Sequence, residues 1–191
     1  AGGWCIQPFS YFKPLFLECN IRYDFSVLKG MKMDSLFAGF DFSKVTKNIY
    51  SFEDDVVLDD NEGKFIELTI SSIQIPKKIY FLNKLFLKII IKLGKERFYG
   101  DGKSIIKISG NKKMVHTKQE MVSIDNLSIV KLPIYLNYIR NNNYVHFLSH
   151  PKMLSHHSLQ VFELLLKYLT KRYNLITNFY NILESYFSNS I

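Results

Sequence analysis

Cysteine is nearly missing: Cys5 and Cys19 are the two in 191 residues. That is too few for a disulfide framework or a Cys-based zinc site, so both read as buried free thiols. No run of about 18 uninterrupted apolar residues occurs, and so no segment reads as a membrane-spanning helix. No block of five or six basic residues forms a nucleic-acid arm. The net charge of +8 and pI near 9.3 would suit nucleic acid, an anionic membrane surface or an acidic polymer. Because the lysines are spread along the whole chain, nucleic acid is set aside as a partner. The opening residues do not form a signal peptide. The chain does not begin with Met, however, which leaves localisation open between the cytoplasm and the cell envelope.

What is present is apolar and aromatic mass. With 47% hydrophobic residues, 16 Phe and 12 Tyr, the chain is globular rather than disordered. Its length fits one core, and residues 1–191 read as a single domain or part of one. No internal repeat is visible. The start at Ala1-Gly2-Gly3-Trp4-Cys5-Ile6, a Gly-Gly-aromatic turn with no strand before it, reads as the remainder of something longer.

Phe9, Phe12, Leu15, Phe16 and Cys19 stand at helical spacing around Pro14, and Ile21 to Val27 alternates like a short strand. Two runs, Ile49 to Leu58 and Lys64 to Ser72, flank Asp59-Asp60-Asn61-Glu62-Gly63, which predicts an inserted β-hairpin. Six acids between Glu53 and Glu62 invite a calcium reading. Their order does not match an EF-hand loop, and a solvated hairpin tip explains them.

The longest helical pattern follows Ile75-Pro76 and runs from Lys78 to Leu93, with Gly94 to stop it. Lys84, Lys88 and Lys92 form a cationic stripe. The opposite side carries Ile79, Leu82, Phe86, Ile89, Ile90 and Leu93, and its Ile79, Leu82, Phe86 and Ile90 are expected to face the protein body. A basic amphipathic helix can also lie on an anionic bilayer, but packing with hydrated lysines is the simpler expectation.

From Arg97 to Val115 the glycines predict loop or short strands. Gly102-Lys103-Ser104 echoes a phosphate loop but lacks its first glycine. Ser123 to Arg140 reads as a helix kinked or started near Pro133, Asn141 to Asn143 as a turn, and Tyr144 to Ser149 as a strand. A further helix, Ser158 to Tyr173, is capped by Ser158, and Leu175 to Thr177 is a short strand. The rhythm is that of an α/β sheet or barrel.

Side chains alternate along a strand, so His146, Leu148 and His150 share one face. Catalytic groups of a β/α barrel sit at the C-terminal ends of its strands, with the lower residues of that face filling the interior. His150 is therefore the reactive candidate and Leu148 the packing residue beneath it. Pro151 ends the strand, having no N–H for the ladder. His156 and His157 lie near enough in sequence to suggest a metal cluster, but adjacent loop histidines are more simply solvated.

Leu148-Ser149-His150-Pro151, followed by a helix leading to Tyr173, Leu175 and Thr177, resembles the end of the polysaccharide deacetylase (NodB homology) domain. Gly2-Gly3-Trp4 is similar to the tail of that family's Arg-x-Gly-Gly-aromatic loop. Tyr23-Asp24-Phe25-Ser26 lies where its next strand and Asp-x-Ser loop fall, and Gly63 to Leu68 is similar to its Gly-x-x-x-Glu strand. The 34–50 insertion and the 77–93 helical stretch have no place in the minimal domain.

The resemblance implies the C-terminal half of a distorted β/α barrel, from a bacterial metal-dependent hydrolase that deacetylates N- or O-acetylated sugars or polysaccharides. It implies His150 as catalytic acid, Gly2, Gly3, Trp4 and Leu148 as substrate-binding, and Asp24 as the group that orients His150. The implied cofactor is a divalent metal, commonly zinc. Its Asp and His ligands and the catalytic base are expected upstream of Ala1, with none in this chain, so the fragment alone is expected to be inactive. Two rival functions stand beside it: a catalytically dead relative that binds glycan or a partner, and a membrane-surface protein using the lysine-striped helix.

Overall fold

The computed structural model describes residues 4–34, 39–100, 117–125, 127–173, 180, 181 and 183. Gly2, Gly3, the Gly102-Lys103-Ser104 motif and the expected 175–177 strand lie outside the described residues. The class is mixed α/β. A helix α1 (Lys13–Glu18) takes Pro14 in its first turn, where the missing N–H is no loss. Cys19 at its end is exposed and Cys5 half-buried, so the expectation of two buried thiols fails. The helix is short, and its last turn faces water.

Three strands form the central sheet in the order β1 (Tyr23–Asp24), β5 (Phe65–Leu68), β4 (Ile49–Phe52). β5 runs parallel to β1 and antiparallel to β4, with Phe52 opposite Phe65 and Ile49 opposite Leu68. The expected hairpin is therefore present. Gly63 is required in it, because a Cβ there would overlap the Phe52 backbone. Phe9 meets Phe52 and Phe65 edge-on in the core beneath, with centroids at 4.9 and 5.1 Å. A small ribbon of β2 (Lys32–Asp34) and β3 (Gly39–Asp41) covers one side of this core.

The chain continues from β5 into β6 (Ser72–Pro76), which pairs antiparallel with β7 (Thr117–Met121). Beyond β7, Ser123 bridges Leu148 in parallel, and the Leu148 N–H donates to the Val122 carbonyl at 3.0 Å. Strand directions are thus mixed, and among the described residues no sheet closes into a barrel. Of the two readings of the 123–140 stretch, the start near Pro133 holds: α3 is Leu132–Arg140, and residues 117–123 are instead taken up by pairing with β6 and the Leu148 segment. From Tyr144 to Ser149 only Leu148 bridges, so the expected strand is an extended segment with one point of pairing.

Pro76 leads directly into α2 (Lys77–Lys92). Its buried centre is not the apolar quartet expected. Asn83 is buried and accepts a hydrogen bond from the buried Ser128 hydroxyl, while Leu82 is 54% exposed. Ile79, Phe86 and Ile90 flank Asn83 and are half-buried. A buried amide needs a polar partner, and Ser128 supplies one, which turns Leu82 outward.

The N-cap of helix α4 (His156–Arg172) lies three residues before the expected one. Ser155 is its N-cap and Ser158 closes a reciprocal capping box, so both serines are used. Val161, Leu165 and Leu169 form its buried side.

Candidate functional site

Leu148 and Ser123 are partners on parallel segments, so the residues two positions further on emerge at the same end of the pairing. These are His150 and Asp125. His150 Nδ1 lies 2.6 Å from Asp125 Oδ2, and the His150 backbone N–H donates to Asp125 Oδ1 at 3.1 Å. The Ser149 hydroxyl donates to the same Oδ1 at 3.1 Å. One carboxylate therefore holds the imidazole by its ring and by its backbone.

The carboxylate is positioned in turn. The Asp125 N–H donates to Ser123 Oγ at 2.9 Å, closing an ST turn just beyond β7. The buried Tyr135 hydroxyl donates to the Ser123 carbonyl at 3.1 Å, which ties α3 to this turn. The Asp125 side chain is 7% exposed and that of His150 43% exposed. A buried acceptor on Nδ1 favours the neutral tautomer with its proton there, which leaves Nε2 as the acceptor nitrogen of the ring.

Close packing fixes the outer wall. The Phe98–Ser155 bridge and the Tyr99 N–H to Leu154 carbonyl bond run Gly100 across the turn that follows His150. A Cβ at Gly100 would overlap the Lys152 backbone.

Asp24 does not hold His150. Its carboxylate accepts from the Ser26 hydroxyl at 2.8 Å and the Ser26 N–H at 3.2 Å, inside the core next to Glu67. The role expected of it belongs to Asp125. Asp125 was hidden in a stretch that reads as helix, although an acid among Val122, Ile124 and Leu127 is itself a signal, since a buried carboxylate needs donors.

Trp4 packs edge-on against Phe40 at 5.9 Å, and Leu148 packs on the margin of the same core cluster. His146 does not join His150. Its backbone N–H donates to Ser71 Oγ at 2.9 Å, its ring lies against Phe25, and burial holds its pKa below the ordinary range. His156 and His157 are the first two residues of α4 rather than loop, and the His157 ring packs on Phe86 at 5.2 Å.

Glu67 is a second unusual acid. It is fully buried, its Oε1 accepts from the Val27 N–H at 3.1 Å, and Oε2 accepts no hydrogen bond. Burial first, then the charge of Asp24, hold its carboxyl well above the ordinary range, so the protonated form is favoured. It faces the core and has no access to a substrate.

Among the described residues, no three of His, Cys, Asp and Glu stand close enough together to hold a metal ion. The zinc implied by the family resemblance is not accommodated by them. What the site offers is an oriented, half-exposed imidazole whose partner is fixed at both ends. No protein-family model matches the chain, and no curated protein or solved structure shows significant similarity to it.

Proposed function

We propose that this chain is part of a hydrolase that deacetylates sugars, with His150 as its general acid and Asp125 as the residue that positions it. The open mixed sheet is then the C-terminal half of a distorted β/α barrel. The observation that carries the reading is the 2.6 Å contact between His150 Nδ1 and the buried Asp125 carboxylate, at the end of the Ser123–Leu148 parallel pairing.

In this reaction water adds to the acetyl carbonyl carbon, the acyl C–N or C–O bond of the acetylated sugar breaks to release acetate, and the departing nitrogen or oxygen needs a proton. His150 gives it from Nε2 while Asp125 stabilises the ring by keeping the Nδ1 proton in place. Asp125 does not itself take the proton. Trp4 and Leu148 support the wall on which the sugar rests. A divalent metal supplies activated water to enzymes of this kind. The described residues do not form a site for one.

The test uses the full-length protein and measures acetate release from N-acetylated chito-oligosaccharides and O-acetylated xylan. His150→Ala should lower turnover by roughly 10²- to 10⁴-fold, the usual contribution of a positioned general acid. Undiminished turnover in that variant, or no acetate release by the wild-type protein from either substrate with zinc supplied, would overturn the proposal.

A further inference from the structure

One face of α2 has no partner among the described residues. Asn83, Ile79, Phe86 and Ile90 turn inward. On the outer side, Leu82, Leu85 and Ile89 are 54, 56 and 48% exposed and stand at i, i+3 and i+7, which makes them one stripe. Beside it runs a second stripe of Lys84, Lys88 and Lys92, all exposed. From Lys77 to Lys95 the sequence holds six lysines and no acid.

We propose that this outer face of α2 docks on an anionic lipid surface, the helix lying along the bilayer rather than crossing it. Sixteen residues give a helix about 24 Å long, and among the described residues no helix is long and apolar enough to span. Leu82, Leu85 and Ile89 enter the boundary between headgroups and acyl chains. The lysine stripe stays at headgroup level, its stems covering apolar surface while the ammonium groups meet lipid phosphate and carboxylate.

Charge selects this occupant over a second copy of the chain. A two-fold pairing of this face sets the same patch against itself and so brings lysines against lysines. No acid between Lys77 and Lys95 is present to receive them. An anionic bilayer offers both a negative surface and an apolar interior.

Sedimentation with vesicles tests the proposal directly on the wild-type chain. Vesicles of phosphatidylcholine with phosphatidylserine should pull the protein down at about 0.1 M salt, and pure phosphatidylcholine should not. Raising salt to about 1 M shortens the screening length from about 10 to about 3 Å and should release most of it. The variant Leu85→Glu/Ile89→Glu should bind at least about tenfold more weakly, and Lys84→Glu/Lys88→Glu should lose its preference for the anionic vesicles. These side chains are exposed, so unfolding midpoints close to wild type are expected and are measured alongside. Failure of the wild-type protein to sediment with anionic vesicles, or equal sedimentation with both lipids, overturns the proposal. So does self-association without lipid that Leu85→Glu/Ile89→Glu abolishes while vesicle binding persists.

Discussion

Asp125 and His150 lie 25 positions apart in sequence and meet at 2.6 Å, because Ser123 and Leu148, two residues before each, are partners in a parallel bridge. Whatever disturbs that bridge also disturbs the imidazole. The pair therefore has two independent handles, the carboxylate charge and the register of the strands.

Asp125→Asn keeps an oxygen near Nδ1 but removes the charge that favours a proton there. Turnover on an acetylated sugar should fall by about 10²- to 10⁴-fold, with KM nearly unchanged. Asp24→Asn, whose carboxylate serves Ser26, should leave turnover within a few-fold. Steady-state kinetics of the two variants side by side decide the assignment, and equal losses would return Asp24 to the site.

Tyr135→Phe removes the hydroxyl that donates to the Ser123 carbonyl and accepts from the Ser123 N–H. Leaving buried backbone groups unpaired should cost about 1–3 kcal/mol, read as a lower urea midpoint at unchanged slope. An unchanged midpoint would show that the turn carrying Asp125 does not depend on α3.

Glu67 makes stability depend on pH. Its folded pKa lies above the ordinary 4.5, so the stability it contributes is fully present below about pH 4.5 and is lost as pH rises toward the folded value. Glu67→Gln stays neutral and keeps an acceptor for the Val27 N–H. The variant should unfold at a higher temperature than wild type at pH 8, by about 1–3 kcal/mol in stability, with the gap closing near pH 4. Thermal melts at several pH values check this, and a gap independent of pH would rule out the carboxyl as its cause.

Gly63→Ala should destabilise the hairpin, since the added Cβ overlaps the Phe52 backbone and neither strand can move without spoiling the Phe52–Phe65 pairing. A loss of about 1–3 kcal/mol is expected from such overpacking. Chemical denaturation gives the number.

The elements that the sequence made legible are those whose signal is local. The 49–72 hairpin announced itself by its Asx-Gly turn, and α2 and α4 by apolar periodicity. The N-cap of α4 was misread by three residues because Ser155 and Ser158 are both good caps, and a capping box uses the pair. Strand β7 was invisible, since Thr117-Lys118-Gln119-Glu120-Met121 carries little strand propensity and is held by its partner β6. The place of His150 just beyond the Leu148 pairing was legible from alternation and from Pro151 behind it. Its partner was not, because the contact joins segments 25 residues apart and Asp125 sits where helix was expected. Leu82 was placed inward by periodicity that treats Asn83 as a surface residue, whereas the Ser128 hydroxyl gives that amide a reason to be inside.

The Asn83–Ser128 bond also indexes α2 about its own axis. Turning the helix by one residue, about 100°, would keep much of its apolar surface covered, because leucines and isoleucines occur on several sides. Such a turn would strand the amide away from its hydroxyl. A single buried polar contact thus acts as a keyway on a helix that hydrophobicity alone would let spin, and it decides which side chains the outside world meets.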